Sequence, residues 1–353
     1  MERKAKYTIL VPIAIVFCIL YLFFALRPLG TELHFSPDWT VDIAQVKERK
    51  QDDELIPFRL GQNIGYFTSD GRVVSSLTFP FKAAISDKWY ALYGADNVGI
   101  PFFSADGTQA GTLTTYGFPY FEDDRIYDFL PGGSSFVQCD NIGNIQWRYE
   151  YYAPITAFDS SEGGTVAGFA DGTITSFTKD GKVSQQFAPG GSDFPIILGT
   201  GISKSGNLIA CVSGQKKQRF VLSQKDGDHS KIIFHEFLDK DQTKQVIVKF
   251  NKKDDMVYYD YNGSLGIVDV KKLKSSHIPL EGSIVQIEES DVDSLMFILS
   301  RTGSMYTVTA LEPFDHPAAS FTFKANAAFI QVRGNALFVG KDNKISRMTI
   351  SRK

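Results

Sequence analysis

The feature that most narrows what this chain can fold into is a turn glycine that returns at a nearly fixed interval. Ser69-Asp70-Gly71, Ala105-Asp106-Gly107, Asn141-Ile142-Gly143 and Lys179-Asp180-Gly181 lie 36, 36 and 38 residues apart, each followed by a short extended run. A second set stands one hairpin earlier in its unit: Asp171-Gly172, Gly214, Asn262-Gly263, Thr302-Gly303 and Gly340, spaced by 42, 49, 40 and 37. Asp-Gly and Asn-Gly supply the positive φ that tight hairpins demand, so these sites read as chain reversals between strands. Self-similarity at this period means an array of small units, each burying its apolar face only against its neighbours.

One unit resolves strand by strand. Pro154 to Phe158, Thr165 to Phe169, Thr173 to Phe177 and Lys182 to Phe187 are four short runs rich in β-branched and aromatic residues, the types that a half-buried pleated surface accommodates. The same scheme fits Lys244 to Leu280 and Ser283 to Phe323, with a longer excursion at 215 to 237. Several short strands per unit at a period near 40 predict an all-β fold of the β-propeller type. Innermost strands start near Ala83, Phe118, Ile155, Ile196, Val246, Ile284 and Ala328, which favours seven blades. Eight is the alternative, because the two ends of the chain together hold more strand than one blade needs. Residues 55 to 79 supply strands with no evident innermost partner, and N-terminal outer strands closing on C-terminal inner ones would remove the exposed sheet edges.

Ahead of the predicted ring, Tyr7 to Leu26 is a run of twenty uncharged residues. At about 1.5 Å of rise per residue a helix of that length spans roughly 30 Å, the thickness of a bilayer core. Arg3, Lys4 and Lys6 precede it, while Arg27, Glu32, Asp38 and Asp42 follow. The positive-inside rule then puts the N-terminus in the cytoplasm and the ring outside it. No Ala-x-Ala-like cleavage site occurs around Ala25-Leu26-Arg27-Pro28, and Phe17 is too bulky ahead of Cys18 for a lipoprotein signal. Between anchor and ring, Ser36-Pro37-Asp38 reads as a helix start, with Trp39, Ile43 and Val46 on one face. The expected organisation is therefore a cytoplasmic N-terminus at 1–6, a transmembrane anchor at 7–26, a stalk with a short helix at 27–54 and a propeller at 55–353.

Net charge is −3, and no basic stripe runs along the chain, which argues against nucleic acid as a partner. Cys139 and Cys211 fall two blades apart in the repeat register, too far to be bridged. The five histidines, His34, His229, His235, His277 and His316, are scattered without ligand spacing, so no metal is expected. Neither a Gly-x-Ser-x-Gly nor a phosphate-binding loop occurs, and no catalytic residue or cofactor is assigned. A propeller can assemble a site on its axis from one residue per blade without leaving a linear motif, which keeps an enzyme, hydrolase or oxidoreductase, as the alternative.

Asp140-Asn141-Ile142-Gly143-Asn144-Ile145-Gln146-Trp147-Arg148-Tyr149 resembles the repeat of quinoprotein-like propellers, in which a turn glycine precedes an outer-strand tryptophan. Lys179-Asp180-Gly181-Lys182-Val183 and Ser69-Asp70-Gly71-Arg72-Val73 resemble the same repeat without the tryptophan. The family includes quinone-dependent dehydrogenases, whose pocket uses calcium and adjacent cysteines, and a non-enzymatic, lipid-anchored subunit of the bacterial outer-membrane assembly machinery. This chain has no adjacent cysteines. The resemblance therefore implies the binding branch.

Two surfaces follow from the register. Loops joining first to second strands carry Asp87, Glu122, Asp123, Asp124, Asp159, Glu162, Asp254, Asp255, Glu288, Glu289, Asp291 and Asp293 against fewer basic residues, so that face is expected to be acidic. The opposite face receives the return segments from each outer strand to the next innermost strand. There Phe79, Phe81, Tyr116, Phe118, Tyr120, Tyr149, Tyr151, Tyr152 and Phe194 recur beside prolines in blades 2 to 5. Aromatic side chains on rigid loops supply contact energy at low entropic cost, so these nine are the candidate binding residues for envelope or membrane proteins. The expected role is a scaffold in the cell envelope.

Overall fold

The computed structural model describes residues 16–17, 21, 33–50, 54–94, 99–227, 229–291, 294–313 and 316–352. Among them the strands form eight sheets, seven of four strands and one of three, all paired antiparallel. The unit read strand by strand is there: Ile155–Ser161, Gly164–Phe169, Ile174–Phe177 and Val183–Phe187 form one four-stranded blade. The seven predicted innermost strands are present too. They are Lys82–Ile85, Phe118–Glu122, Ile155–Ser161, Phe194–Ile202, Val248–Phe250, Ser283–Glu289 and Ala328–Arg333, in blades 2 to 8. The ring nevertheless has eight blades, which corrects the favoured count of seven.

The extra blade escapes a count of innermost strands because it has none of the ordinary kind. In chain order, β1 is Leu33–Asp42, β2 is Ile56–Leu60, β3 is Asn63–Phe67 and β4 is Val73–Thr78. Blade 1 is the sheet β2-β3-β4. The turn after β2 lies beside the connection into blade 2, where the Phe79 N–H donates to the Gln62 carbonyl at 3.0 Å. β2 therefore runs against the direction of the other seven axial strands. It is the second strand of a blade whose first strand is missing among the described residues.

The stalk helix expected after Ser36 is instead β1, the outermost strand of blade 8. It pairs with Lys344–Arg352 from Leu33 opposite Arg352 to Asp42 opposite Lys344, with a register shift between Pro37 and Trp39. Closure of the ring thus joins N- and C-terminal strands as expected, but through residues 33–42 rather than 55–79. Trp39 and Ile43 fit both a helical and a two-residue period. Val41, packed with Trp39 against the core shared by blades 8 and 1, shows that the strand period won. The shift turns the strand over, since one extra residue exchanges its faces: Leu33 and Phe35 pack toward blade 7, Trp39 and Val41 toward blade 1. Pro37 is tolerated because an outermost strand leaves one edge unpaired.

Turn glycines do more than reverse the chain. A Cβ on Gly181 (φ 75°) would stand 2.4 Å from the ring of Trp147 on the preceding blade, and one on Gly71 (φ 88°) 2.9 Å from Trp39. Each tryptophan docks on the turn of the next blade, and Trp147 Nε1 donates to the Lys179 carbonyl at 3.1 Å. Gly340 is not a turn residue; it lies in Ala336–Lys341, where a Cβ would meet the Phe329 ring. Between blades the core is aromatic. Tyr127, Phe136, Phe169 and Phe177 are buried together, with Trp147 stacked 5.5 Å from Phe177. Burying each such ring contributes roughly 1.5–3 kcal/mol. Cys139 and Cys211 are buried free thiols, and burial pushes both up to about 12. Among the described residues no helix is long and apolar enough to cross a membrane. The anchor expected at 7–26 lies outside those residues except for Val16, Phe17 and Tyr21, which are helical and exposed.

Candidate functional site

The eight blades present two unlike regions. On the face that receives the return segments, Phe81, Tyr116, Phe118, Tyr152 and Phe194 are each between 52 and 79% exposed. They stand at or just before the first residue of the innermost strands of blades 2, 3, 4 and 5. Several are held in place from below. The Tyr152 hydroxyl donates to Asp171 at 2.5 Å, and its ring lies 4.3 Å from that of Tyr151. The Asp171 carboxylate beside it keeps the Tyr152 phenol protonated above its ordinary range. Lys216 sits 5.2 Å over the Phe194 ring.

The other four predicted residues do not join this surface. Phe79 is buried, with the Arg59 guanidinium 5.3 Å over its ring. Tyr149 and Tyr151 are half-buried in the core between blades 3 and 4. Tyr120 faces the axis, where its hydroxyl donates to Glu122. In each case the ring finds apolar neighbours or a buried partner within the fold, and an aromatic count by position does not see that.

The second region is the axial mouth on the opposite face, a cavity of about 680 Å3. First-to-second loops of blades 2 to 8 all reach it, as does Pro57 of β2. Most of the predicted acids are here, but they are already used. Arg333 meets Asp87 at 2.8 Å, Lys204 meets Glu162 at 3.0 Å, and Lys252 meets Asp291 at 2.5 Å. Asp254 accepts the Lys204 and Ser205 N–H groups at 2.7 and 3.0 Å, and Glu289 accepts that of Lys252 at 2.6 Å. Each of these contacts joins one blade to another, so the acidic rim works as stitching. Asp293 lies outside the described residues.

Deeper in the mouth, Glu122, Asp159 and Lys249 project from the innermost strands of blades 3, 4 and 6. Asp159 accepts the Ile202 N–H at 2.8 Å, and Lys249 donates to the Ile287 carbonyl at 3.0 Å. Burial, and then the nearby Glu122 charge, raise Asp159 to about 7. Burial also raises Glu122, against the Tyr120 hydrogen bond and Lys249, which pull it down. Two carboxyls whose hold on a proton is strengthened, standing beside a lysine, can exchange protons with a ligand. Among the described residues no group of three or more His, Cys, Asp or Glu is placed to hold a metal ion. Sequence reasoning overlooked Lys249, although a lysine inside the apolar run Val246 to Phe250 of a predicted axial strand was a signal for it.

The whole chain, residues 1–353, matches the family described as beta-propeller protein. An uncharacterized protein of Treponema pallidum (strain Nichols) is 29% identical over 362 residues, covering 99% of this chain and 96% of its own length. Among solved structures, BamB from Moraxella catarrhalis matches with a TM-score of 0.56 at 12% identity, over 90% of this chain and all of that one. At that identity the likeness is one of fold.

Proposed function

The chain belongs to the beta-propeller protein family, and from that premise we propose that it is a membrane-anchored, extracytoplasmic scaffold that binds other envelope proteins through its aromatic face. The observation that carries this reading is the exposure of Phe81, Tyr116, Phe118, Tyr152 and Phe194 on one face of four consecutive blades. Large apolar side chains grouped on a rigid surface mark interaction sites. The corresponding return segments of blades 6, 7 and 8 offer Asp239 to Lys244, Glu281 and Asn326 instead. The uncharged run Tyr7 to Leu26 and its basic N-terminal flank support an anchor with the N-terminus in the cytoplasm. Tryptophans docked on turn glycines support a place in the quinoprotein-like branch of propellers.

Crosslinking in the native membrane, followed by mass spectrometry, tests the role. With Tyr116, Tyr152 and Phe194 changed to Ser, partners crosslinked to the unmodified chain should disappear while the fold persists. Unchanged crosslinks sink the assignment of this face. A second reading, an enzyme with its site on the axis, draws support from the raised carboxyls Glu122 and Asp159 beside Lys249. A stoichiometric ion or quinone released from the purified protein and absent from its Glu122→Gln and Asp159→Asn variants would favour it over the scaffold.

A further inference from the structure

Among the described residues, seven blades set a first strand against the axis, and blade 1 does not. β2 stands at its inner edge, so the position one strand-width further in, about 4.8 Å, carries no strand among the described residues. The hairpin defines which backbone groups face that gap. Gly61 (φ 62°) and Gln62 form a two-residue turn with Leu60 opposite Asn63. A turn of this kind makes its closing residues a hydrogen-bonded pair, and such pairs alternate along the strands. Leu60, Phe58 and Ile56 therefore bond β3, while Pro57 and Arg59 turn their backbone groups toward the axis. The Tyr66 N–H, opposite Pro57, is in phase with this: it points away from β2 and donates to the Ser75 hydroxyl at 3.1 Å.

Beside that edge lies a cavity of about 490 Å3, walled by β2 and the innermost strands of blades 2, 3 and 8. Ala83, Ala84, Ile85 and Phe329 give it small or apolar sides, and among the described residues Arg59 is the one charged group lining it. The Arg59 guanidinium reaches the Ala83 carbonyl at 3.4 Å. At the axial mouth, Asp87 of blade 2 and Arg333 of blade 8 pair at 2.8 Å and tie the two flanking blades together.

We propose that this slot receives an extended segment of a partner protein, paired antiparallel to β2 as the first strand of blade 1. An antiparallel partner of β2 runs in the same direction as the other seven innermost strands, so its insertion completes the ring's own repeat. Strand addition takes affinity from main-chain bonds and selectivity from alternate side chains. The walls and the lone cation select a segment of about five residues, the length of β2, apolar at alternate positions and carrying a carboxylate beside Arg59. The slot and the aromatic face are separate surfaces, and the variants that test the slot touch only it.

The probe is a synthetic peptide copying Ser283–Glu289, an innermost strand of this ring that sets apolar Val285 and Ile287 two residues apart and ends in two acids. Hydrogen–deuterium exchange on the full-length protein should show the Arg59 amide slowed roughly tenfold or more at saturating peptide, with a scrambled peptide giving no protection. Arg59→Pro removes the axial donor without touching the β2–β3 bonds and should lower peptide affinity at least about tenfold, as loss of a main-chain bond implies. Arg59→Glu keeps the backbone. It should weaken the acidic peptide up to about fivefold and recover binding when both glutamates of the peptide are lysine. Absence of protection in the unmodified protein at millimolar peptide overturns the proposal, as does equal binding by the Arg59→Pro protein. Protection that rises with protein concentration and no peptide assigns the slot to a second copy of the chain, which also overturns it.

Discussion

The two faces of the ring carry groups that sequence reasoning treats alike, side chains expected at the surface, and the fold uses them in opposite ways. On the loop face, charges that looked available are paired across blade boundaries, as with Arg333 and Asp87 or Lys252 and Asp291. On the return face, five aromatic rings that could have wedged between blades remain exposed. Neighbouring blades approach at the axis, so loops there meet each other. Return segments of blades 2 to 5 instead cross from an outermost strand to the next innermost one, and their rings stay largely uncovered. Aromatic surface that stays exposed while its rings are held from below is what a binding surface offers.

The contrast can be broken most directly on the return face. Replacing Phe81, Tyr116 and Tyr152 by Ser together should lower partner affinity by about a hundredfold or more, as loss of clustered aromatic anchors does. The melting temperature should stay within a few degrees, read by calorimetry beside the binding assay.

On the loop face the matching experiment reads stability. Asp159 is raised to about 7 from an ordinary 3.8, so the native state holds a proton more tightly than the unfolded chain. Stability should therefore fall as pH rises from about 4 to about 7 and level off above that. Asp159→Asn removes the titrating group and keeps an acceptor for the Ile202 N–H. It should stabilise the protein at pH 8 by on the order of 1–3 kcal/mol and much less at pH 4, as denaturant unfolding at the two pH values will show. The side chain is partly open to the cavity, which limits the gain.

Smaller effects sharpen the comparison. Arg333→Ala should cost about 0.5–1 kcal/mol, and a double-mutant cycle with Asp87→Ala should assign most of that to the pair. Lys216→Ala leaves the Phe194 ring without its cation and should cost about 0.5 kcal/mol in partner binding, seen as a small rise in dissociation rate with unchanged melting temperature.

Legibility follows the range of the interaction. Blades 2 to 7 and the three C-terminal strands of blade 8 were readable because their hairpins are closed by local turn chemistry and their strands by local alternation, as Asn262 (φ 52°) and Gly263 (φ 92°) illustrate. Blade 1 was half-readable: its strands were visible and their lack of an innermost partner was noted. That they form a separate blade depends on where β1 goes. β1 itself was misread as helix because Ser36, Pro37 and Asp38 make a good local helix start. The pairing that overrides it comes from residues 344–352, more than three hundred positions away. In the candidate surface, Phe81 and Tyr152 were legible as exposed, whereas Phe79 and Tyr120 were not, since each is covered by a residue from another strand or blade, Arg59 over Phe79 and Phe158 against Tyr120.

By itself, then, the sequence determined the strand repeat, the all-β ring and the seven axial strands, because turns and alternation are decided within a few residues. Only the tertiary structure decided that there are eight blades, that the N-terminal strand completes the last one, and that the acids are stitched while the aromatics stay open. Those outcomes rest on contacts between segments far apart in the chain, and no local pattern encodes which distant edge a strand will meet.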